Sequence, residues 1–450
     1  MTCPPSCADP PTLYWLTRRF GFAASIFFVG GVTGGLALPM DQLGTFRHPE
    51  GSTAPDCINL FSIPDAHSRL VVTAARAVLN SGVYRDEPEP AMAAPVQRSF
   101  IASPGSWAKT GLLALHASGA HRFAPKSLAG VGAILMLHRV READGAGFAP
   151  NAALEVTPEF LDATIRHVGD LGYDFVSLDE AVRRLKERDF IRPFVVFTLD
   201  DGYRDNLTDA APVFRRYNIP FTVYLSTGLP DGTAELWWAA LERVIAGASK
   251  LHVRFADGAE TIACATTEQK NAAWFAIYWR LRAGSEDAMR TEIARLADEQ
   301  GIDLAALTRE LALSWDEVRE LAADPLASIE AHTAGHFALA KLDGACAREQ
   351  IAQGLARHEA ELGRRPRHFS YPYGDPGSAG EREFAMAREF GFASATTTCK
   401  GLIQPRHADR LAALPRLSLN GHYQDVRIVE VLLSGLPFAM ARPFAGASID

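Results

Sequence analysis

The run Phe194-Val195-Val196-Phe197-Thr198-Leu199-Asp200-Asp201-Gly202-Tyr203 constrains the fold of this 450-residue chain more than any other stretch. An apolar segment of β-branched and aromatic residues between Pro193 and Gly202 predicts a strand buried on both faces, so other layers must cover its sheet on each side. The two carboxylates fall at its carboxyl end, where α/β folds place their chemistry. Successive strand residues point to opposite faces, so Asp200 and Asp201 can share a site only if the strand ends there, and two different jobs are then open to them. Taken alone, the stretch also fits a strand followed by an ordinary Asp-Gly turn.

The same texture recurs along the chain. Residues 131–137 form a second continuous apolar run, ending at His138-Arg139. Thr157 and Pro158 carry the chemistry of a helix start, with apolar residues at Phe160, Leu161, Ile165 and Val168 and a stop near Gly172. A short strand over 175–178, a helix capped by Asp179, a helix over 209–217 and a strand over 220–225 follow. Between residues 230 and 325 the rhythm gives way to helix formers, which predicts a helical insertion. Its aromatics, Trp237, Trp238, Trp274, Phe275, Tyr278 and Trp279, can pack as its core or form a sugar-stacking wall. Alternation resumes with strands over 328–331, 369–371, 392–396 and 414–419 and helices over 345–362 and 381–390. Repeated strand-helix units in one sheet predict an α/β fold, a TIM-like (β/α) barrel of about seven strands over 106–440, with a tail at 441–450.

Residues 1–105 read differently, as an extension of low order in which Pro, Gly and Ser recur without period. Within it, residues 18–40 begin with Arg18-Arg19 and continue uncharged with five glycines. That stretch has the length of a bilayer span and the basic flank of a signal or anchor, but its glycines make it a poor helix. A cytoplasmic location is the reading adopted, with export or anchoring through residues 18–40 as the alternatives. A net charge of -8, with no basic block, gives no footprint for nucleic acid. Six scattered cysteines without a C-x-x-C pair fit neither a disulfide framework nor a thiolate metal site.

Two further motifs stand at strand ends. In His332-Thr333-Ala334-Gly335-His336 the imidazoles can reach one ion if the segment turns helically, and Asp201 or Asp200 can complete the set from another strand. In Arg367-His368-Phe369-Ser370-Tyr371-Pro372-Tyr373-Gly374 the Pro-Tyr-Gly turn can aim a backbone N–H into a cleft, and an arginine can hold an aspartate ionised. Together with Thr198-Leu199-Asp200-Asp201-Gly202, in this order, these residues resemble the polysaccharide deacetylase family (carbohydrate esterase family 4), which includes the rhizobial nodulation chitooligosaccharide deacetylases and the peptidoglycan and chitin deacetylases.

The resemblance spans residues 129–419 and implies a distorted barrel and metal-dependent removal of acetyl groups from sugars. Carried onto this chain, it makes Asp200 the catalytic base and Asp201 a ligand beside His332 and His336, holding Zn²⁺, with Co²⁺ or Ni²⁺ as substitutes. Amide hydrolysis calls for the same division, because an ion makes water a better nucleophile while a separate base takes its proton. Arg367 would orient the base, the Tyr373 N–H would hold the oxyanion, and Tyr371, Pro372 and Arg416 would contact substrate, Arg416 alternatively assisting the base. Leu199 stands where phenylalanine is usual, and the family's late motifs have no clear counterpart. His138, in Leu137-His138-Arg139-Val140, is therefore the expected general acid, with His422 as the alternative. The expected partner is an acetylated, N-acetylglucosamine-containing oligo- or polysaccharide. O-acetyl esters, another non-peptide C–N bond, or an inactive carbohydrate-binding barrel are the competing readings.

Overall fold

The computed structural model of the chain describes residues 104–142, 145 and 147–441. The expected extension up to residue 103, including residues 18–40, and the tail beyond 441 lie outside them. Seven parallel strands form the frame: β1 (Gly132–Leu137), β2 (Phe194–Asp201), β3 (Phe221–Leu225), β4 (Ala327–Ala331), β5 (His368–Ser370), β6 (Ser394–Lys400) and β7 (Leu414–Ser418). Each pairs with its neighbour in chain order, and β7 pairs with β1, which pairs with β2, so the sheet closes into a seven-stranded barrel. An extra short strand, Asp174–Phe175, pairs with the start of β2 below the point where β3 takes over that edge.

β2 is buried along its whole length. Phe194 and Val196 join Ile134, Tyr224 and Leu414 in one core cluster, and Thr198 and Asp200 continue that face by period-2 alternation. Val195, Phe197 and Leu199 pack on the other side with helix residues Leu161, Ile165 and Phe214. Two cores on opposite faces explain why the run carries no polar residue before Thr198.

Thr157 caps the helix Pro158–Asp170 as expected, its hydroxyl accepting from the Phe160 N–H at 3.2 Å. The next helix departs from expectation. Ser177, not Asp179, is its N-cap, so residues 178–187 are helical and the preceding strand shrinks to two residues. A serine hydroxyl accepting from the Glu180 N–H secures the earlier start.

Between β3 and β4 lie five helices, from Trp237–Gly247 to Trp315–Ala322, and an antiparallel hairpin, Lys250–Phe255 with Gly258–Ala263. The hairpin was not expected; residues 250–255 alternate exposed and buried, a period-2 pattern among residues that otherwise resemble a polar helix face. Among the described residues no helix is long and apolar enough to cross a membrane.

Candidate active site

Strand register sets the floor of the site. Leu137 pairs with Leu199, Asp201 with Leu225, and Leu225 with Ala331, so His138, the two aspartates and His332 emerge level at the carboxyl end of the barrel. A cavity of about 170 Å³ there is lined by His138, Asp200, Asp201, His332, His336 and Tyr373.

The aspartates share this floor because the strand ends between them in conformation. Asp201 has φ 75°, the left-handed region, and Gly202 follows at φ 83°. A Cβ at Gly202 would sit 2.5 Å from Leu225 Cδ1, so the turn requires glycine on both counts. Six non-glycine residues among those described have positive φ; Arg188 and Asn218 are helix C-caps, and the other four are Asp201, Thr333, His336 and Tyr373. Unfavourable backbone is thus concentrated where side chains must converge.

His332 and His336 converge by that route. The expected helical turn is absent; residues 332–336 form an irregular loop in which left-handed Thr333 and His336 reverse the chain. The Thr333 hydroxyl accepts from the His336 N–H at 3.1 Å and steadies the reversal. Asp201 Oδ1 lies 3.4 Å from His332 Nε2 and 3.1 Å from His336 Nε2, and all three residues are buried.

These residues fit a divalent ion. The Ser370 carbonyl, 2.7 Å from His332 Nδ1, can only accept, so Nδ1 carries the proton and Nε2 turns a lone pair toward a carboxylate oxygen. In the neutral ring two acceptors then face each other, an arrangement that a divalent ion between them satisfies. Tetrahedral zinc with ligands at about 2.0–2.1 Å has ligand atoms roughly 3.3 Å apart, the spacing found here. Burial drives the His336 imidazolium down to about 4, so the ring is neutral at ordinary pH and its nitrogen can ligate. Burial opposes the Asp201 charge, but His336 and His332 outweigh it and hold the carboxyl well below the usual range.

Asp200 is held differently. Arg416 donates to both its oxygens, from Nη1 at 2.7 Å and Nη2 at 2.6 Å, in a bidentate pair that is buried on both sides. The guanidinium is itself fixed by the Thr397 carbonyl, Thr198 Oγ1 and Ser370 Oγ. Burial raises the Asp200 carboxyl, and the Arg416 charge and hydrogen bonds more than offset that, leaving it below its ordinary value.

Several expectations change. Arg367 does not reach Asp200; its side chain is largely exposed and pairs with Asp179, while its backbone N–H is taken by Glu330. Arg416 fills that place, and because it is buried against the carboxylate it is not free to contact substrate. Tyr371 and Pro372 are buried as well. The Tyr371 hydroxyl donates to the Ala412 carbonyl at 2.8 Å, and its ring packs edge-on against Phe369, so neither residue faces the cavity. Tyr371→Phe is accordingly expected to lower stability by about 1 kcal/mol and leave KM for substrate unchanged, read by melting and steady-state kinetics. A raised KM would return Tyr371 to the substrate surface. His422 is exposed in the turn Gly421–Tyr423 and does not line the cavity, whereas His138 does. The Asn206 amide donates to the His138 carbonyl and fixes its backbone.

Tyr373 sits at φ 62° ahead of Gly374, where a Cβ would meet the Thr398 amide nitrogen at 2.7 Å. Among the described residues the Tyr373 N–H has no protein acceptor. Its hydroxyl accepts from Trp237 Nε1 at 2.8 Å, and the Tyr203 hydroxyl accepts from Trp238 Nε1 at 2.7 Å. Two consecutive tryptophans of the inserted segment are thereby fastened to two barrel motifs. Trp238, Trp274 and Tyr278 form the aromatic wall of the cavity, while Trp237 is core and Phe275 and Trp279 are exposed. Sequence composition flagged these aromatics as a group, but only their attachment separates wall from core.

The polysaccharide deacetylase family model matches residues 259–393. Over that segment, less than a third of the chain, the sequence is similar to polysaccharide deacetylases. The matched segment includes His332, His336 and Tyr373 and excludes Asp200, Asp201 and Arg416, which the barrel brings to the same site. Among solved structures, the chain is similar to the Streptococcus pyogenes deacetylase PplD in complex with acetate, at 17% identity and a TM-score of 0.42, over 64% of this chain and 92% of that one. A polysaccharide deacetylase from Bacillus cereus is similar at 17% identity and a TM-score of 0.42, over 67% and 68%. IcaB from Ammonifex degensii is similar at 16% identity and a TM-score of 0.42, over 67% and 97%. No curated protein matches the sequence.

Proposed function

We propose that the protein is a metal-dependent carbohydrate N-deacetylase that releases acetate from N-acetylglucosamine units of an oligo- or polysaccharide. The observation that carries this reading is the facing of His332 Nε2 and Asp201 Oδ1, two buried acceptors, beside an ionised Asp200 on one cavity floor. Asp201, His332 and His336 would hold Zn²⁺ or a similar ion. When bound, the ion supplies Lewis acidity, which acidifies water and polarises an acetyl carbonyl.

The remaining work falls to the chain's own groups. Asp200, kept ionised by Arg416, accepts the proton of the attacking water. The unpaired Tyr373 N–H donates to the acetyl oxygen as negative charge builds on it. As the C–N bond breaks, the amine nitrogen needs a proton, and His138 is the histidine on the cavity wall that can deliver it; acetate and a free amino sugar leave. Trp238, Trp274 and Tyr278 offer flat apolar faces to pyranose rings, and the buried Trp274 indole N–H, without a protein partner, suits a sugar oxygen.

The test is acetate release from N-acetylglucosamine oligosaccharides, with acetylated xylan as the ester comparison. Treatment with a chelator should abolish release and added Zn²⁺ or Co²⁺ should restore it. Activity indifferent to the chelator would refute the metal reading. Release from the ester alone would move the substrate class to O-acetyl sugars.

A further inference from the structure

Away from the cavity, four segments bring three imidazoles to one carboxylate. His116 is in the last turn of the helix Pro104–Ser118, His121 in the turn Ala120–Phe123, His167 near the end of the helix Pro158–Asp170, and Glu430 in the helix Val426–Leu433. His121 Nε2 lies 3.0 Å from Glu430 Oε1, while His116 Nε2 and His167 Nε2 lie 3.4 and 3.2 Å from Oε2. None of the four lines the cavity.

Proton placement repeats the logic of the cavity floor. His121, only 4% exposed, has Nδ1 3.3 Å from the Leu115 carbonyl, which can only accept. In the neutral ring Nε2 therefore presents a lone pair to the Glu430 carboxylate. His167 Nε2 is buried and has no hydrogen-bond partner, although a carboxylate oxygen lies within reach; it is close enough to share a cation but not aligned to donate. The His116 and His121 rings stack at 5.1 Å and 15°. One divalent ion satisfies all of these groups at once. The ligand atoms of His116, His121 and Glu430 lie within 4.8 Å of one another, and His167 approaches the same carboxylate from the side. Arg122 Nε is 3.7 Å from Glu430 Oε1, but its side chain is 67% exposed and can swing into solvent.

We propose that His116, His121 and Glu430, with His167 as fourth ligand, form a second, structural site for a divalent cation of the zinc class. Four protein ligands leave no open position, as a structural rather than catalytic centre requires. The ion would clamp the helix ahead of β1 to the helices Pro158–Asp170 and Val426–Leu433, joining the two ends of the barrel sequence.

Zinc content of the full chain, measured after equilibration with Zn²⁺ and removal of excess, tests this directly. The double variant Asp201→Ala/His332→Ala should retain about one equivalent, and adding Glu430→Gln should remove it. In the otherwise native chain, Glu430→Gln should keep acetate release and lose the rise in Tm that Zn²⁺ gives the double variant. His167→Gln, at the more exposed edge, should weaken that equivalent about tenfold, and it guards against a Glu430 variant that fails to fold. No zinc in the double variant, or zinc indifferent to both Glu430→Gln and His167→Gln, would overturn the proposal. Because the cavity ligands are disabled in this measurement, its outcome is independent of the metal reading at Asp201.

Discussion

Asp200→Asn should lower kcat by about 10²–10⁴-fold and leave the bound ion in place, whereas Asp201→Ala should release the ion itself. The two residues are sequence neighbours, but the left-handed turn at Asp201 gives them separate partners. Asp200 meets only the Arg416 guanidinium and its surroundings, and asparagine keeps an oxygen to accept from it. Losing the negative charge removes the proton acceptor while the Asp201, His332 and His336 ligand atoms stay as they are. Asp201 faces both imidazoles, so its loss leaves two nitrogen donors that cannot complete a coordination shell. Metal analysis beside an acetate assay separates the two effects. Identical behaviour of the two variants, in metal content and in rate, would undo the division of roles.

Replacement of Arg416 should produce the largest loss of stability of any single change at the site. The pair with Asp200 is buried on both sides, and breaking such a pair costs about 3–5 kcal/mol because a charge is left without compensation. Arg416→Met should therefore unfold at markedly lower temperature or denaturant. Arg416→Lys keeps a charge but not the planar fork that serves both oxygens and the Thr397 carbonyl, so it should fold while holding Asp200 less firmly. The pH consequence has a definite sign. Arg416 depresses the Asp200 carboxyl; weakening that contact lets burial raise it, the base is protonated at a higher pH, and the acidic limb of kcat/KM moves upward. Stability follows the same linkage: the contribution of Asp200 is present above the unfolded carboxyl value of about 3.9 and is lost as pH falls through its depressed folded value. Arg367→Ala, which breaks only an exposed contact with Asp179, should change neither profile nor stability by more than about 1 kcal/mol.

These two arginines show what could be read in the sequence and what could not. The first strands were legible because they are short apolar runs bounded by turn residues, and β2 in particular is buried on both faces. The convergence of Asp201, His332 and His336 was legible because they stand at strand ends, where parallel sheets gather their chemistry. The partner of Asp200 was not, because adjacency in the chain suggested Arg367 near the Tyr373 turn. Ring closure decides otherwise: β7 lies against β1 and β1 against β2, so a residue of the last strand reaches a carboxylate of the second across the barrel. His332 and His336 were paired correctly in sequence but for a helical geometry, since nothing in Thr-Ala-Gly announces that threonine and histidine will take left-handed backbone. The hairpin at 250–263 went unseen because its alternation is carried by Lys250, His252 and Arg254, residues equally at home on a helix.

The fastening of Trp237 and Trp238 to Tyr373 and Tyr203 has a consequence for how such an enzyme can diversify. Ligands, base and the free amide belong to the barrel, while much of the aromatic wall comes from one continuous stretch between β3 and β4, held at the site by two indole–phenol contacts. On the proposed function, reaction and recognition are therefore encoded in separable portions of the gene. Exchange or drift of that single stretch could redirect the protein from one sugar chain to another while the hydrolytic apparatus passes unchanged from ancestor to descendant.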